Sequence, residues 1–471
     1  MKTTQPNRLF PLILLLLWLA ACRPAGTNPP TPPTQSPVAA TPSPAGTPIT
    51  ALATATTLPT PTTPPAASAT PRPSPTPFPT SAVTPGPAGQ CGLLLPVVLP
   101  PTTPAVTQLD QSQSLEPFPE AVRPAVAFML ANPAQVGLAA YPVGNPAGGV
   151  YLNANSPMPL ASVVKIIHLV AYANAINSGR LNPATTVPLA DLDAYYLPGS
   201  DLNGHTLAVS ELRSEGRIFG DPPAVLLEDV PRMMIQYSSN AATDYLHQLL
   251  GQETIEQTAI DLGMSQQTAP CPWIGQFLII DNPDGQLSDL QNVRRYISDW
   301  PLYSVEVMNL TARYSSDPDF RAEIGTWRGR GRQPSIDVQR LFSDNLNAQG
   351  SAGSYAALMA TIAQNQLGSW ELSVLIRRYL EWPTFFPDNQ QQLAWTGYKG
   401  GSLPGVLTAA YYAQPWWDTQ PVVVTLFYRD LPQSTYQQWR RELPNDELAR
   451  WLLRDPEAIP LLRSLLAGGS E

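Results

Sequence analysis

Residues that bind metal ions or nucleic acid are scarce in this sequence. Its three histidines, His168, His205 and His247, do not stand at the His-x-x-x-His spacing of a zinc site. Acidic residues outnumber basic ones by 36 to 27, and no long basic tract with interleaved aromatic residues occurs. Because phosphate binding needs clustered positive charge, we expect neither a nucleic-acid partner nor a metal site. The Gly-x-Ser-x-Gly pattern of α/β-hydrolase esterases is absent as well.

Cysteine is also scarce, with Cys22, Cys91 and Cys271 as the three in the chain. The apolar stretch 9–20 follows two basic residues and is too short for an ordinary membrane-spanning helix, so it predicts a secretory leader over residues 1–22. An exported domain lies in a compartment that permits disulfides. Cys91 and Cys271 therefore either form a bridge or remain buried free thiols.

The end of this leader, Leu19-Ala20-Ala21-Cys22, resembles a bacterial lipobox. The resemblance implies cleavage before Cys22 and attachment of a diacylglycerol to its sulfur. The alternative is an ordinary cleaved leader followed by a chance cysteine. We expect an extracytoplasmic lipoprotein of the bacterial cell envelope, anchored to the membrane through Cys22.

Proline, by contrast, is abundant, with 55 residues among 471. Residues 23–90 consist almost entirely of Pro, Thr, Ala, Ser and Gly, and such a stretch buries too little apolar surface to offset its chain entropy. We predict a disordered linker over residues 23–114 and a folded domain over residues 115–471.

The most informative stretch is Ser162-Val163-Val164-Lys165, at the predicted start of a buried helix. Residues three apart share a helix face, so the serine hydroxyl and the lysine amine lie together against an apolar background. Such a pair is a nucleophile beside a desolvated base. Four-residue patterns recur by chance, and on its own the pair also fits a solvated serine and lysine.

Two further stretches follow in the chain. Tyr237-Ser238-Ser239-Asn240 comes after a predicted helix, and Lys399-Gly400-Gly401-Ser402 begins a predicted strand. Ser-x-x-Lys, then Ser-x-Asn, then Lys-Thr-Gly or a variant is the motif order of class A β-lactamases and penicillin-binding proteins. From about residue 115 to its end, the chain resembles this superfamily of serine hydrolases.

The hydrophobic pattern predicts an α+β fold. Strands are predicted at 135–143, 148–152, 405–413 and 421–428. Because strands stand at both ends of the domain with helices between them, both ends meet in one antiparallel sheet. The resemblance implies a β-lactamase-like sandwich, with this sheet beside an all-helical part. One helix is predicted over residues 438–453.

The resemblance gives each motif residue a role. Ser162 is the nucleophile, Lys165 is its base, and Ser238 relays a proton to the leaving nitrogen. Asn240 donates to the substrate carbonyl and holds Lys165. Lys399 supplies a second cation, which together with burial lowers the pKa of Lys165. The alternative is that the Ser-x-Asn motif only caps the following helix.

Further residues are expected to contact the substrate. The resemblance places an oxyanion hole at the backbone N–H groups of Ser162 and Ser402, beside Gly401. Tyr196 matches an aromatic residue on the cleft wall, although it also fits a packed loop aromatic. Gly400 departs from the family, which prefers Thr or Ser there to contact the substrate carboxylate, and Ser402 is the candidate substitute.

A second departure concerns removal of the acyl group. Class A enzymes carry a Glu about ten residues past a Leu-Gly element, and an Asn four residues after that Glu. Counting from Gly263 places Ile274 and Leu278 at these positions, and neither side chain can activate or bind a water molecule. We therefore expect slow deacylation, unless Asp281, Asp284 or another carboxylate folds back.

An insertion over about residues 281–349 lengthens the family's usual connection. Long insertions beside an active site are often lids or partner surfaces. The arginine-rich run at 328–332 is either an anion-binding surface or a solvated loop.

These observations predict a lipid-anchored serine hydrolase that needs no cofactor. We expect acylation of Ser162 by a β-lactam or by the D-alanyl peptide amide of peptidoglycan. The alternative is a degenerate family member that binds partners in the cell envelope without turnover.

Overall fold

The computed structural model describes residues 91–97, 105–283 and 285–467. The predicted leader with Cys22, most of the predicted linker and Asp284 lie outside these ranges. Within the described ranges, no helix is both long and apolar enough to cross a membrane.

Nine strands and eighteen α-helices occur in the described residues, numbered in chain order. The strands are β1 (Val136–Pro142), β2 (Val150–Leu152), β3 (Met158–Pro159), β4 (Thr186–Pro188), β5 (Ala224–Leu226), β6 (Gln349–Gly350), β7 (Leu393–Leu403), β8 (Val406–Pro415) and β9 (Val422–Tyr428). The α-helices are α1 (Arg123–Ala131), α2 (Lys165–Asn177), α3 (Leu189–Asp193), α4 (Gly204–Ser214), α5 (Asp229–Gln236), α6 (Asn240–Leu250), α7 (Gln252–Asp261), α8 (Trp273–Asp281), α9 (Asp289–Ser298), α10 (Trp300–Ser316), α11 (Pro318–Gly329), α12 (Ile336–Asn345), α13 (Ala352–Ala363), α14 (Trp370–Leu380), α15 (Pro387–Gln390), α16 (Gln433–Glu442), α17 (Pro444–Arg454) and α18 (Ala458–Ala467). Short 3-10 helices lie at Glu120–Val122, Pro133–Gln135, Pro146–Gly148, Ala161–Val164 and Trp382–Phe385.

The main sheet has the antiparallel order β2-β1-β9-β8-β7. Strands from both ends of the domain meet in it, as the sequence predicts, because β1 pairs with β9 over its whole length. All seven residues of β9 are apolar apart from Thr425, and all are buried. A strand without polar alternation is typical of a sheet covered on both faces.

Helices cover both faces of this sheet and form two apolar layers. On one face, Ala139 and Phe427 join a core that includes residues of α2, α5, α6 and α13. On the other face, Leu138 and Leu426 pack with residues of α1, α17 and α18. Side chains alternate between faces along a strand, so neighbouring residues serve different layers. The α+β sandwich is therefore confirmed.

The C-terminal helical region differs from its prediction. The sequence predicts one helix over 438–453, whereas the structure has α16 and α17, which meet at Leu443. Leu443 has a left-handed backbone with φ of 54°, and Pro444 stands at the first turn of α17. Proline lacks an N–H and clashes with the preceding helical turn, so it begins a new helix here.

Residues 91–97 pack on the domain, although they belong to the stretch predicted as a linker. Cys91 is fully buried and forms a disulfide with Cys271, which decides between the two alternatives left open for these cysteines. The Gly92 N–H donates to Ala269 O over 2.7 Å, and the Leu95 N–H donates to Gln267 O over 2.8 Å. The packed chain thus includes residues before 115.

The insertion consists mainly of helices α9 to α12. Apolar residues of α9, α10 and α12 pack with α8 around the disulfide. Tyr314, Phe320 and Ile324 form a second cluster with Leu197 and Ile274. At the start of the arginine-rich run, Arg328 lies 3.5 Å from the largely buried carboxylate of Asp281. Arg328 is therefore paired inside the insertion, unlike an arginine of a solvated loop.

Candidate active site

Ser162 lies at the entry to α2. The 3-10 helix Ala161–Val164 leads directly into α2, and Ala161 adopts a left-handed backbone with φ of 44°. Two contacts hold the entry: the Ala161 N–H donates to Asn347 Oδ1 over 2.9 Å, and the Thr408 hydroxyl donates to Leu160 O over 2.8 Å. Ser162 is half-buried at this fixed turn.

Lys165 begins α2 and is fully buried. Most of α2 is apolar on every side, which is typical of a helix enclosed by other elements. The Lys165 Nζ donates to Ser238 O over 2.6 Å and to Asn240 Oδ1 over 2.7 Å, and it lies 3.3 Å from Ser238 Oγ. In the described part of the chain, these hydrogen bonds lead to the second motif rather than to Ser162.

Ser238 lies between the two motif lysines. Its Oγ is 3.3 Å from Lys165 Nζ and accepts from Lys399 Nζ over 2.9 Å. A left-handed backbone with φ of 57° turns this residue toward both amines. The helix cap is the next residue, Ser239, whose Oγ accepts the Ala242 N–H over 3.1 Å. The Ser238 side chain is therefore available for other contacts than capping.

Burial dominates the electrostatics of the lysine pair. Desolvation lowers the pKa of Lys165 to about 7, against the opposing effect of the Asp201 and Asp244 carboxylates. Burial and the nearby Lys165 ammonium lower the pKa of Lys399 well below its usual range. A large neutral fraction of Lys165 near pH 7 follows, and a neutral amine can accept a proton.

Asn240 is held on three sides. Besides accepting from Lys165, it donates through Nδ2 to Ser200 O over 3.1 Å, and its backbone N–H reaches Asp201 Oδ2 over 3.3 Å. One amide hydrogen is thus in use, and the second remains for the expected substrate carbonyl. Asp201 was not found from the sequence.

Strand β7 runs beside the nucleophile. A Cβ added to Gly401 would lie 2.6 Å from Ser162 N and 2.9 Å from Ala161 Cβ, so only glycine permits this close approach. The Lys399 side chain points into the site and also donates to Gly400 O over 2.7 Å. The backbones of Ser162 and of the Gly401 region lie together, as an oxyanion hole requires.

On the other face of β7, the Ser402 side chain does not lie where a substitute for the family's Thr or Ser at position 400 is expected. The Tyr398 hydroxyl occupies the space that a Cβ on Gly400 would need. The Ser402 hydroxyl lies 2.9 Å from the Tyr436 hydroxyl on α16. This hydrogen bond directs the Ser402 side chain to the helix layer, so Ser402 does not take the place of the missing threonine.

Tyr196 lies on the loop after α3, half-buried. Its hydroxyl is 3.0 Å from Thr206 Oγ1, and its ring centroid is 4.7 Å from that of His205. The insertion supports this loop, because the Tyr314 hydroxyl donates to Tyr196 O over 2.9 Å. The structure therefore joins Tyr196 to the insertion and to α4, in line with a cleft wall.

The side chain beside Lys165 at the start of α8 is Trp273. Its ring centroid lies 5.0 Å from Lys165 Nζ. Ile274 is buried in the separate apolar cluster that includes Leu197 and Tyr314. Counting along the sequence placed Ile274 where a catalytic Glu is expected, but the neighbour of Lys165 is the preceding aromatic residue. Asp281, at the far end of α8, pairs with Arg328.

Asp244 explains why α8 begins at Trp273. Its Oδ1 accepts the Trp273 N–H over 2.7 Å, and its Oδ2 accepts the Ile274 N–H over 2.8 Å. Pro272, at the N-cap, has no side chain that can cap the helix. Asp244, on α6, therefore accepts the two N–H groups that have no partner within α8. Burial raises the pKa of Asp244 to about 7. A sequence signal existed, because Asp244 stands four residues after Asn240 on the same helix face.

Comparison with known proteins identifies the family of this chain. Residues 121–446 match the family model described as the β-lactamase enzyme family. The chain belongs to the β-lactamase enzyme family. A search of curated protein sequences found no match.

Solved structures of the β-lactamase family are similar at low identity. A β-lactamase from Sphaerobacter thermophilus is 18% identical with a TM-score of 0.42, covering 72% of this chain and 97% of that one. The structure of PBP-A is 14% identical with a TM-score of 0.40, covering 72% and 99%. A β-lactamase from Chitinophaga pinensis is 15% identical with a TM-score of 0.40, covering 69% and 99%.

Proposed function

We propose that this β-lactamase family member is a serine hydrolase acylated at Ser162 by a β-lactam or a D-alanyl peptide amide. The observation that carries the proposal is the position of Ser238 Oγ, 3.3 Å from Lys165 Nζ and 2.9 Å from Lys399 Nζ. Three motifs that are far apart in the sequence supply these groups. A structural role alone does not account for two buried amines around one hydroxyl, because burying like charges is costly.

Acylation proceeds by proton transfer through these groups. The Ser162 Oγ attacks the carbonyl carbon, and its proton passes to the neutral amine of Lys165. The Ser238 hydroxyl then delivers a proton to the amide nitrogen as the C–N bond breaks, and it is reprotonated from Lys165. The products are an ester at Ser162 and a free amine, or an opened ring in the case of a β-lactam.

Negative charge develops on the carbonyl oxygen during this step. The backbone N–H groups of Ser162 and Ser402 are the proposed donors, and the absence of a side chain at Gly401 lets the two segments approach. A fixed donor of this kind typically contributes about 3 kcal/mol to transition-state stabilisation.

Hydrolysis of the ester is proposed to be slow. Counting from Gly263 places Ile274 where the family carries the carboxylate that activates water, and the neighbour of Lys165 is Trp273. Neither side chain can act as a base. The same observation favours the second candidate function, a cell-envelope protein that binds or captures acyl donors without rapid turnover.

The predicted leader over residues 1–22 supports a location outside the cytoplasm. We propose that Cys22 carries a lipid and that the catalytic domain lies outside the cytoplasm, and the Cys91–Cys271 disulfide supports an oxidising compartment. The wild type is expected to incorporate labelled fatty acid in cells, and a Cys22→Ala variant is expected not to. A wild type without the label, or a variant that carries it, would contradict the anchor.

A fluorescent penicillin tests the acylation. The full chain is expected to show a covalent label whose mass increase maps to the peptide containing Ser162. Ser162→Ala should remove the label, whereas Ser210→Ala, an exposed serine on α4, should keep it. A label that persists in Ser162→Ala, or an unlabelled folded wild type, would overturn the proposal.

A further inference from the structure

His205 joins the cleft wall to the second motif. Its Nε2 lies 2.9 Å from Asp193 Oδ1, and its Nδ1 lies 3.1 Å from Ser239 Oγ. The imidazole is almost fully buried, although Asp193 is exposed. The Asp193 carboxylate can only accept, so Nε2 carries a hydrogen, and in the neutral ring Nδ1 is then the acceptor for the Ser239 hydroxyl.

The order serine, histidine, aspartate matches a catalytic triad in connectivity, but Ser239 is not a nucleophile. Its side chain is fully buried, and its Oγ already accepts the Ala242 N–H as the cap of α6. The Asp193–His205–Ser239 contacts therefore hold side chains in place and take no part in bond breaking. The position of Ser239 matters because it lies directly between Ser238 and Asn240.

The N-terminus of α4 interlocks with the same turn. A Cβ on Gly204 would strike the carbonyl oxygen of Tyr237, so α4 lies directly against the residue before Ser238. On its other side, the His205 ring packs against Tyr196, with centroids 4.7 Å apart. One side chain thus contacts both the cleft wall and the turn that carries the proposed proton relay.

We propose that His205 is a positioning residue for acylation, which holds the Ser238–Asn240 turn through Ser239 and the cleft wall through Tyr196. The inference rests on the proposed function and deepens it. A left-handed residue such as Ser238 persists only where its surroundings hold it. Without the His205 contact, the Ser238 hydroxyl is free to move away from the two lysines.

Three variants test this role by acylation kinetics with the fluorescent penicillin. His205→Leu removes both polar contacts and should lower the acylation rate at saturating penicillin by about 10- to 100-fold, because a displacement near 1 Å can cost about 100-fold. His205→Asn keeps an acceptor near the Nδ1 position and should recover most of the rate. Ser239→Ala removes the same contact and also the α6 cap, so it should lower the rate at least as much as His205→Leu. Combining the two should cost less than the sum of the single effects, because the His205–Ser239 contact is lost in both.

A second readout does not depend on any substrate. The chain contains three lysines, Lys2, Lys165 and Lys399, so isotope-labelled lysine gives few side-chain signals. His205→Leu should shift the Lys165 and Lys399 signals, and His205→Asn should return them toward the wild-type positions. If the wild type takes no penicillin label but His205→Leu still shifts the lysine signals, the acylation proposal fails and the positioning role of His205 stands. Unshifted signals, or a folded His205→Leu protein acylated at the wild-type rate, overturn the role of His205.

Discussion

The Trp273 indole lies beside the Lys165 amine, with its ring centroid 5.0 Å from Nζ. Both side chains are buried, so this contact places an apolar wall beside the Lys165 amine. We propose that this wall keeps water from the ester formed at Ser162, and we therefore expect an opened wall to speed deacylation. Trp273→Leu should shorten the half-life of the penicillin adduct, as measured by the decay of its intact mass.

Ile274→Val is the matched control for the Trp273 prediction. Ile274 lies in the cluster with Leu197 and Tyr314, away from Lys165, so this change should cost about 1 kcal/mol of stability and leave the adduct half-life unchanged. An equal change of half-life in both variants would show that general loosening, not the wall, controls release.

In the third motif, Gly400 stands where the family prefers Thr or Ser, and a substitution there tests why the position is glycine. Because the Tyr398 hydroxyl fills the place of a Cβ, Gly400→Ala should lower the free energy of unfolding by about 1–3 kcal/mol in urea titrations. The loss should become smaller in a Tyr398→Ala background, since the two side chains compete for one space. Gly325→Ala is the control, because the space around Gly325 in α11 is open and alanine favours helix by about 1 kcal/mol. Equal losses in both backgrounds would refute the competition.

The disulfide fixes residues 91–97 to the segment just before Trp273. Cys91 and Cys271 are 180 residues apart, and closing a long loop restricts the unfolded chain strongly. Replacing both cysteines by serine should lower the free energy of unfolding by about 2–5 kcal/mol. Reductant should reproduce this loss in the wild type and have no effect on the double variant; an unchanged urea midpoint in the variant would argue against the bridge.

The sequence predicted the sheet and the grouping of the three motifs, because strand periodicity and motif order are local signals. It did not predict the neighbour of Lys165, since that depends on where Asp244 starts α8. Tyr436, which takes up the Ser402 hydroxyl, is likewise distant in sequence and adjacent only after folding. The helices of the insertion carried readable signals in their caps, namely Ser288, Asp299, Asp317 and Ser335.

We propose that Ser162 gains its reactivity from a neutral Lys165. Burial lowers the pKa of Lys165 to about 7, so the neutral fraction and the acylation rate should rise about tenfold between pH 6 and pH 8. The rate rises with pH because only the unprotonated amine can accept the Ser162 proton. Lys165→Met should lower acylation by at least about 100-fold.

The most direct measurement is a pH titration of labelled lysine side chains in the full chain, with the Lys165 signal identified by its loss in Lys165→Met. We expect the pKa of Lys165 to be near 7 and that of Lys399 to lie below its ordinary range. Titration of Lys165 at the ordinary lysine pKa of about 10.4 would contradict its role as the base, because the amine would then be charged when Ser162 reacts.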